Sequence, residues 1–119
     1  MTDGFADPAT ITGYHAHIYY DAASRARAEQ LREAIGARFT VQLGRMHDAP
    51  VGPHPQAMYQ VAFAVGELPR MLPWLLLNRG GLNVLVHPMT GNSFADHTDF
   101  ASWLGTPLPL RTEMLRRVA

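Results

Sequence analysis

The sequence contains no cysteine, which excludes disulfides and thiolate metal ligands. It has no net charge either, because ten basic side chains balance ten acidic ones, so it lacks the positive field that attracts nucleic acids or anionic membranes. No apolar run approaches the roughly 20 residues of a membrane-spanning helix. The polar stretch 1–13 has no apolar segment of the kind that marks a secretory signal. We therefore expect a cytoplasmic protein that binds neither nucleic acid nor membrane.

The length of the chain suits one compact domain. Its 119 residues are 47% hydrophobic and 17% charged, which is enough apolar material for a core and too little charge for a disordered chain. We predict a single domain over residues 1–119. It would have a flexible N-terminal arm at 1–10, a folded core at 11–110 and a C-terminal tail at 111–119.

Apolar periodicity and turn signals predict four strands and two main helices. The strands are predicted at 11–20, 39–43, 58–65 and 82–87, and the helices at 22–35 and 67–78, with Leu75, Leu76 and Leu77 buried. Prolines make 48–56 an irregular loop. A short helix at 93–104 and a helical stretch at 111–119 are expected to follow. This order predicts an α+β, ferredoxin-like fold, with a β-α-β-β-α-β antiparallel sheet, helices on one face and a C-terminal extension.

Alternation along the predicted strands separates polar from apolar side chains. Residues two apart on a strand point to the same side of the sheet. One side is apolar and suits the helices, whereas the other collects His15, His17, Gln60, Asn83 and His87. We therefore predict a polar site on the uncovered face of the sheet.

Three short motifs place histidines where a metal ion could bind, since neutral imidazole is the commonest metal ligand. His15 and His17 would lie on one side of a strand, about 6–7 Å apart. His54 stands between two prolines that restrict its backbone. His87 ends a strand before a Pro-Met-Thr-Gly turn. Each motif also has an ordinary interpretation: solvent-facing strand residues, a solvated turn, and a strand-end hydrogen bond, respectively.

Two further histidines lie beside aspartates. His97 follows Asp96, so it could act as a base steered by a carboxylate, or it could lie on a solvated helix face. His47 precedes Asp48, and we interpret it as a surface residue. The sequence contains no Gly-x-Ser-x-Gly motif, and the absence of cysteine excludes a thiol nucleophile.

The histidine motifs, taken in order, resemble those of the DOPA 4,5-dioxygenase family. The resemblance spans about residues 12–110 and rests on four segments: Tyr14-His15-Ala16-His17-Ile18-Tyr19-Tyr20, Gly52-Pro53-His54-Pro55, Leu85-Val86-His87-Pro88-Met89-Thr90-Gly91, and Asp96-His97 with Trp103-Leu104-Gly105. It implies that residues 11–110 form a dioxygenase core that binds Fe(II) and cleaves the ring of a catechol such as DOPA with O2 to a semialdehyde. It also implies a homodimer.

The resemblance further implies roles for five histidines. His17, His54 and His87 are expected to hold the iron, and His15 and His97 to act as acid–base groups. Many non-haem iron sites add a carboxylate, for which Asp21, Asp48 and Asp96 are candidates, although an all-histidine site is possible. His54 precedes the third strand and His87 ends the fourth. Because those two strands run parallel, either the 48–56 loop folds back over the sheet or a second subunit supplies one histidine.

Two other classes of function are compatible with the same residues. The first is a metal-binding or small-ligand-binding module that uses the same sheet face without turnover. The second is a ferredoxin-like interaction domain in which that face is a dimer interface. Metal analysis separates the interaction domain from the dioxygenase and from the binding module, because a dimer interface needs no ion.

Overall fold

The computed structural model of the chain describes residues 3–115. Its helices and strands, in chain order, are β1 (Tyr14–Tyr19), α1 (Arg25–Arg38), β2 (Val41–Leu43), β3 (Met58–Phe63), α2 (Leu68–Asn78), β4 (Asn83–Pro88), α3 (Ser93–His97) and β5 (Ser102–Leu104). Short 3₁₀ helices lie at Pro8–Thr10, Val65–Glu67 and Thr112–Met114. Of the helix predicted at 111–119, residues 116–119 lie outside the described residues, as do residues 1–2 of the predicted arm.

The five strands form one antiparallel sheet in the order β2-β3-β1-β4-β5. The first four strands have the order that two split β-α-β units produce, with β1 between β3 and β4. This arrangement confirms the predicted ferredoxin-like α+β fold. No helix in the described part of the chain is both long and apolar enough to cross a membrane.

The main core lies between one face of the sheet and helices α1 and α2. Strand residues that alternate along the chain, including Ile18, Val61 and Val84, contribute to it from the sheet. Ala28, Leu31 and Ile35 of α1 and Met71 and Leu75 of α2 contribute from the helices, at spacings of three or four residues that align them on one side. The alternation of strand side chains therefore fixes which face receives the helices.

The opposite face of the sheet is covered as well, which corrects the prediction of an uncovered face. Tyr19, Met58 and Leu85 form a second buried cluster there, and Trp103, with Ala101, Leu108 and Leu110, packs against it. The C-terminal extension thus closes half of this face. The polar half is left as a pocket enclosed by loops.

Two local predictions are wrong. The predicted helix at 93–104 is divided, because α3 ends at His97 and Ser102–Leu104 pairs with the free edge of β4 instead. Edge-strand hydrogen bonds outweigh the weak helical preference of these residues. In α2, Leu75 is buried but Leu76 and Leu77 are 55% and 85% exposed, because only every third or fourth residue of this helix faces the sheet.

Candidate metal centre

Three histidines come from neighbouring strands and share one side of the sheet. His15 of β1 lies directly opposite His87 of β4, and His17 lies two residues further along β1. The Nε2 atoms of His17 and His87 are 3.0 Å apart. His17 and His87 are only 3% and 1% exposed, whereas His15 is partly exposed. Strand pairing alone therefore brings three imidazoles together.

The 48–56 loop brings His54 to the same place. The backbones of His47 and Met58 exchange hydrogen bonds of 2.9 and 3.0 Å, which hold both ends of the loop against β3. A bond from His54 N to Val51 O closes a turn that contains Gly52, whose φ of 53° lies in the region that favours glycine. The loop folds back within the chain, so the rings of His54 and His17 lie 4.3 Å apart. The described chain places His54 there without a second subunit.

His97 approaches from α3. The Asn92 side chain accepts a hydrogen bond from Ala95 N at the start of this helix. The His97 ring lies 4.1 Å from that of His87 and 5.9 Å from that of His17. All five histidines to which the sequence assigned roles therefore line one cavity of about 410 Å³. His47 does not line this cavity.

Hydrogen bonds to groups other than histidine orient three of the five rings. His87 Nδ1 lies 2.9 Å from Pro88 O, and His97 Nδ1 lies 2.7 Å from Ser93 O. A carbonyl oxygen only accepts, so both Nδ1 atoms carry a proton, and in the neutral ring each Nε2 atom then keeps a lone pair. His54 Nδ1 lies 2.7 Å from the hydroxyl of Tyr19, a group that can donate or accept.

The environment favours the neutral form of four of these imidazoles. Burial, followed by the nearby histidines, lowers the pKa of His54 to about 4. Burial is also the largest cause that lowers the pKa of His87 to about 4 and holds the pKa of His17 well below its usual value. Burial and the neighbouring His97 lower the pKa of His15. Neutral imidazole is the form that binds a metal.

Two overlapping sets of three histidines have ligand atoms within 4.8 Å of one another. One is His15, His17 and His87, and the other is His17, His54 and His97. The predicted ligand set of His17, His54 and His87 draws members from both. His17 Nδ1 is buried and has no hydrogen-bond partner among the described residues, so the protein alone leaves the cluster incompletely satisfied.

The donor set fits a divalent transition metal. Imidazole nitrogen suits iron, zinc, copper and nickel. Two metal–nitrogen bonds of about 2.1 Å at a right angle would separate the nitrogens by about 3.0 Å, and this equals the distance between His17 Nε2 and His87 Nε2. The same distance also suits a hydrogen bond between two neutral imidazoles.

No carboxylate belongs to either set among the described residues. Asp96 is buried and lines the cavity, but its oxygens accept hydrogen bonds from Thr90 N and Thr90 Oγ1. Asp48 accepts hydrogen bonds from Arg25 and Tyr20, and Asp21 accepts them from Ser24, all outside this cavity. The geometry favours the all-histidine alternative.

Sequence reasoning missed one contributor to the site and misplaced another. Tyr19 was given no role in the site by the sequence analysis, yet its hydroxyl contacts His54. Its position two residues after His17 on β1 was the available signal. Asn83 was expected in the polar site, but its Oδ1 accepts a hydrogen bond from Thr106 N at the other end of β4.

The fold and the site define a class: small α+β proteins with a histidine cluster on the sheet face opposite the helices. Within this class, the chain belongs to the Dopa 4,5-dioxygenase family, whose profile matches residues 14–114. The predicted family is therefore confirmed.

The chain covers a different share of the length of each protein that it resembles. A DOPA 4,5-dioxygenase from Amanita muscaria is 35% identical over 109 residues, which are 84% of this chain and 48% of that protein. An uncharacterized 21.2 kDa protein from Botryotinia fuckeliana is 34% identical over 88% of this chain and 64% of its own length. The crystal structure of a candidate dioxygenase from Nostoc punctiforme matches with a TM-score of 0.92 and 53% identity, over 92% of this chain and 96% of that one. The chain thus spans about half the length of the Amanita muscaria protein and about two thirds of the Botryotinia fuckeliana protein.

Proposed function

We propose that this protein is a non-haem, Fe(II)-dependent extradiol dioxygenase that cleaves the ring of a catechol with O2 to give a semialdehyde. The observation that carries the proposal is the convergence of five imidazoles in one cavity. Membership of the Dopa 4,5-dioxygenase family supports the same reaction class. A catechol such as DOPA is the proposed substrate.

His17 and His87 are the proposed core of the iron site. Their Nε2 atoms are 3.0 Å apart, and both residues belong to the ligand set predicted from the sequence. In that prediction the third ligand is His54. In the strand set, which consists of His15, His17 and His87 from β1 and β4, the third ligand is His15. Bound Fe(II) would polarise a catechol, lower the pKa of its hydroxyls and supply the redox chemistry with O2.

The remaining histidines are proposed to handle protons. His97 keeps an Nε2 lone pair because its Nδ1 donates to Ser93 O, so it can accept a proton from a catechol hydroxyl. Met89, Pro53 and Leu115 add apolar surface to the cavity wall. These side chains would hold the aromatic ring and limit the access of water.

The decisive experiment is oxygen uptake after anaerobic loading with Fe(II). We expect uptake with one or more members of a panel of catechols, including L-DOPA, and a product heavier than the substrate by two oxygen atoms. His17→Ala should abolish uptake, whereas His47→Ala, outside the histidine cavity, should not. Iron binding without uptake for any catechol would contradict this proposal and would favour the binding module without turnover.

The homodimer and the cytoplasmic location stay proposals. Leu76 and Leu77 give α2 an exposed apolar surface, which is compatible with contact between two copies. Light scattering of the purified protein at several concentrations tests whether it is a homodimer. A single species with the mass of one chain at all concentrations would contradict it.

A further inference from the structure

Tyr19 holds His54 by a hydrogen bond that has no role in the function as proposed so far. The hydroxyl of Tyr19 lies 2.7 Å from His54 Nδ1, and the tyrosine is 1% exposed. Its ring stacks on Trp103 with centroids 5.7 Å apart and packs in the second cluster with Met58 and Leu85. The hydroxyl is therefore held at a fixed point beside the histidine.

The direction of this hydrogen bond follows from the partners that each group has. Among residues 3–115, His54 Nδ1 is the only hydrogen-bond partner of the Tyr19 hydroxyl. A buried O–H without an acceptor costs about 1–3 kcal/mol. The stable arrangement has the Tyr19 O–H donating and His54 Nδ1 accepting.

The proton of neutral His54 must then be on its other ring nitrogen, Nε2. A metal ligand needs a lone pair on the binding atom. Ligation through Nε2 would therefore require the proton to move to Nδ1, which would leave the Tyr19 hydroxyl proton without its acceptor. His54 is for this reason poorly suited to bind the metal.

His87 and His15 do not have this conflict. His87 donates from Nδ1 to Pro88 O and keeps a lone pair on Nε2. His15 makes no hydrogen bond through its side chain within the described part of the chain, so either of its nitrogens is free to bind. The strand set of His15, His17 and His87 is thus complete without His54.

We infer that His54 is a hydrogen-bond donor directed at the substrate rather than a metal ligand, that Tyr19 is the positioning residue that fixes this tautomer, and that His15 completes the metal site. This inference rests on the proposed function and refines it. His54 Nε2–H would stabilise the anionic oxygen of a bound catecholate, a role that a lone-pair ligand cannot fill. His97, with its lone pair, faces the same cavity as the acceptor.

The test measures the tautomer and the metal affinity separately. We expect nitrogen-15 NMR of the imidazoles to show His54 protonated at Nε2 in the metal-free and the Zn(II)-loaded protein, with the signal assigned by its loss in His54→Gln. Tyr19→Phe should abolish this single tautomer. Tyr59→Phe is the matched control, because its buried hydroxyl bonds to Ala28 O on the helix side of the sheet and should leave the His54 signal unchanged.

Zn(II) affinity, measured by competition with a chromophoric chelator, gives the second readout. We expect His54→Gln to bind Zn(II) within about 3-fold of the unmodified protein, and His15→Gln to bind more than about 10-fold more weakly. A His54 signal from the Nδ1–H tautomer, or a His54→Gln affinity as weak as that of His15→Gln, would overturn the inference. Neither readout needs turnover, so failure of the proposed reaction would appear separately as a lack of oxygen uptake.

Discussion

His17 occupies a special position at the scale of single residues. Of the histidines among the described residues, only His17 belongs to both sets that could hold an ion. It is 3% exposed, and its neighbours in the site come from β4, the 48–56 loop and α3. Whichever set binds the metal, His17 is a member.

We therefore expect His17→Ala to lower Zn(II) or Co(II) affinity by more than about 100-fold, a larger loss than that of an outer hydrogen-bond partner. Equilibrium binding by chelator competition measures this. His47→Ala is the matched control, since His47 lies outside the histidine cavity. Equal metal affinity for His17→Ala and the unmodified protein would rule out both sets.

Asp96 is the second residue for which the structure predicts a large effect. It is 2% exposed and accepts hydrogen bonds from both the backbone and the hydroxyl of Thr90, which ties α3 to the turn after β4. Asp96→Ala leaves those two donors without a partner, so we expect the free energy of unfolding to fall by about 1–3 kcal/mol. Urea denaturation measures this. Asp99→Ala, at an exposed position nearby, should change it by less than about 0.5 kcal/mol.

At the scale of elements, the 48–56 loop decides whether His54 reaches the site. Its turn depends on Gly52, which has a φ of 53° and open space where a Cβ would project. A side chain at residue 52 would therefore meet no neighbouring atom, and it would strain the turn only through the backbone conformation. The C-terminal extension also holds this loop, because Arg111 N donates a hydrogen bond to Pro53 O.

Gly52→Ala should destabilise the protein by roughly 1–2 kcal/mol, because alanine is disfavoured in the left-handed region. It should also displace His54, which NMR of the imidazoles would report as a shift of the His54 signals. Gly66→Ala is the matched control, since this glycine also has open space around it but no positive φ. Equal stability of Gly52→Ala and Gly66→Ala would show that a side chain at residue 52 does not strain the turn.

Strands and helices differed in how well the sequence predicted them. The four core strands have apolar residues at every second position, and this pattern predicted both their existence and their faces. Ser102–Leu104 has no such pattern and was assigned to a helix, because only its pairing with the edge of β4 makes it a strand. The covered half of the polar face was missed for the same reason.

At the scale of the whole molecule, burying neutral histidines makes the stability of the metal-free protein depend on pH. The pKa of His54 and of His87 falls to about 4 in the folded protein, against about 6.5 when unfolded. Between these values the unfolded chain binds protons that the folded chain does not. Stability is therefore complete above about pH 6.5 and is lost as the pH falls towards 4.

We expect the free energy of unfolding of the metal-free protein to drop by on the order of 1–3 kcal/mol per buried histidine over this range. Denaturation at pH 7.5, 6, 5 and 4.5 measures the slope. His54→Gln removes one of the histidines whose pKa is lowered, so its slope should be smaller. A slope that His54→Gln leaves unchanged would show that His54 does not contribute.

The sequence by itself determined the sheet, its two faces and the histidines that one face carries, because side-chain direction in a strand depends only on the local backbone period. Tertiary structure alone decided that the loop folds back to place His54 beside His17, and that Tyr19 bonds to it. Both depend on contacts between distant segments, such as the pairing of His47 with Met58 and the bond from Arg111 to Pro53. No local pattern in the chain encodes those contacts.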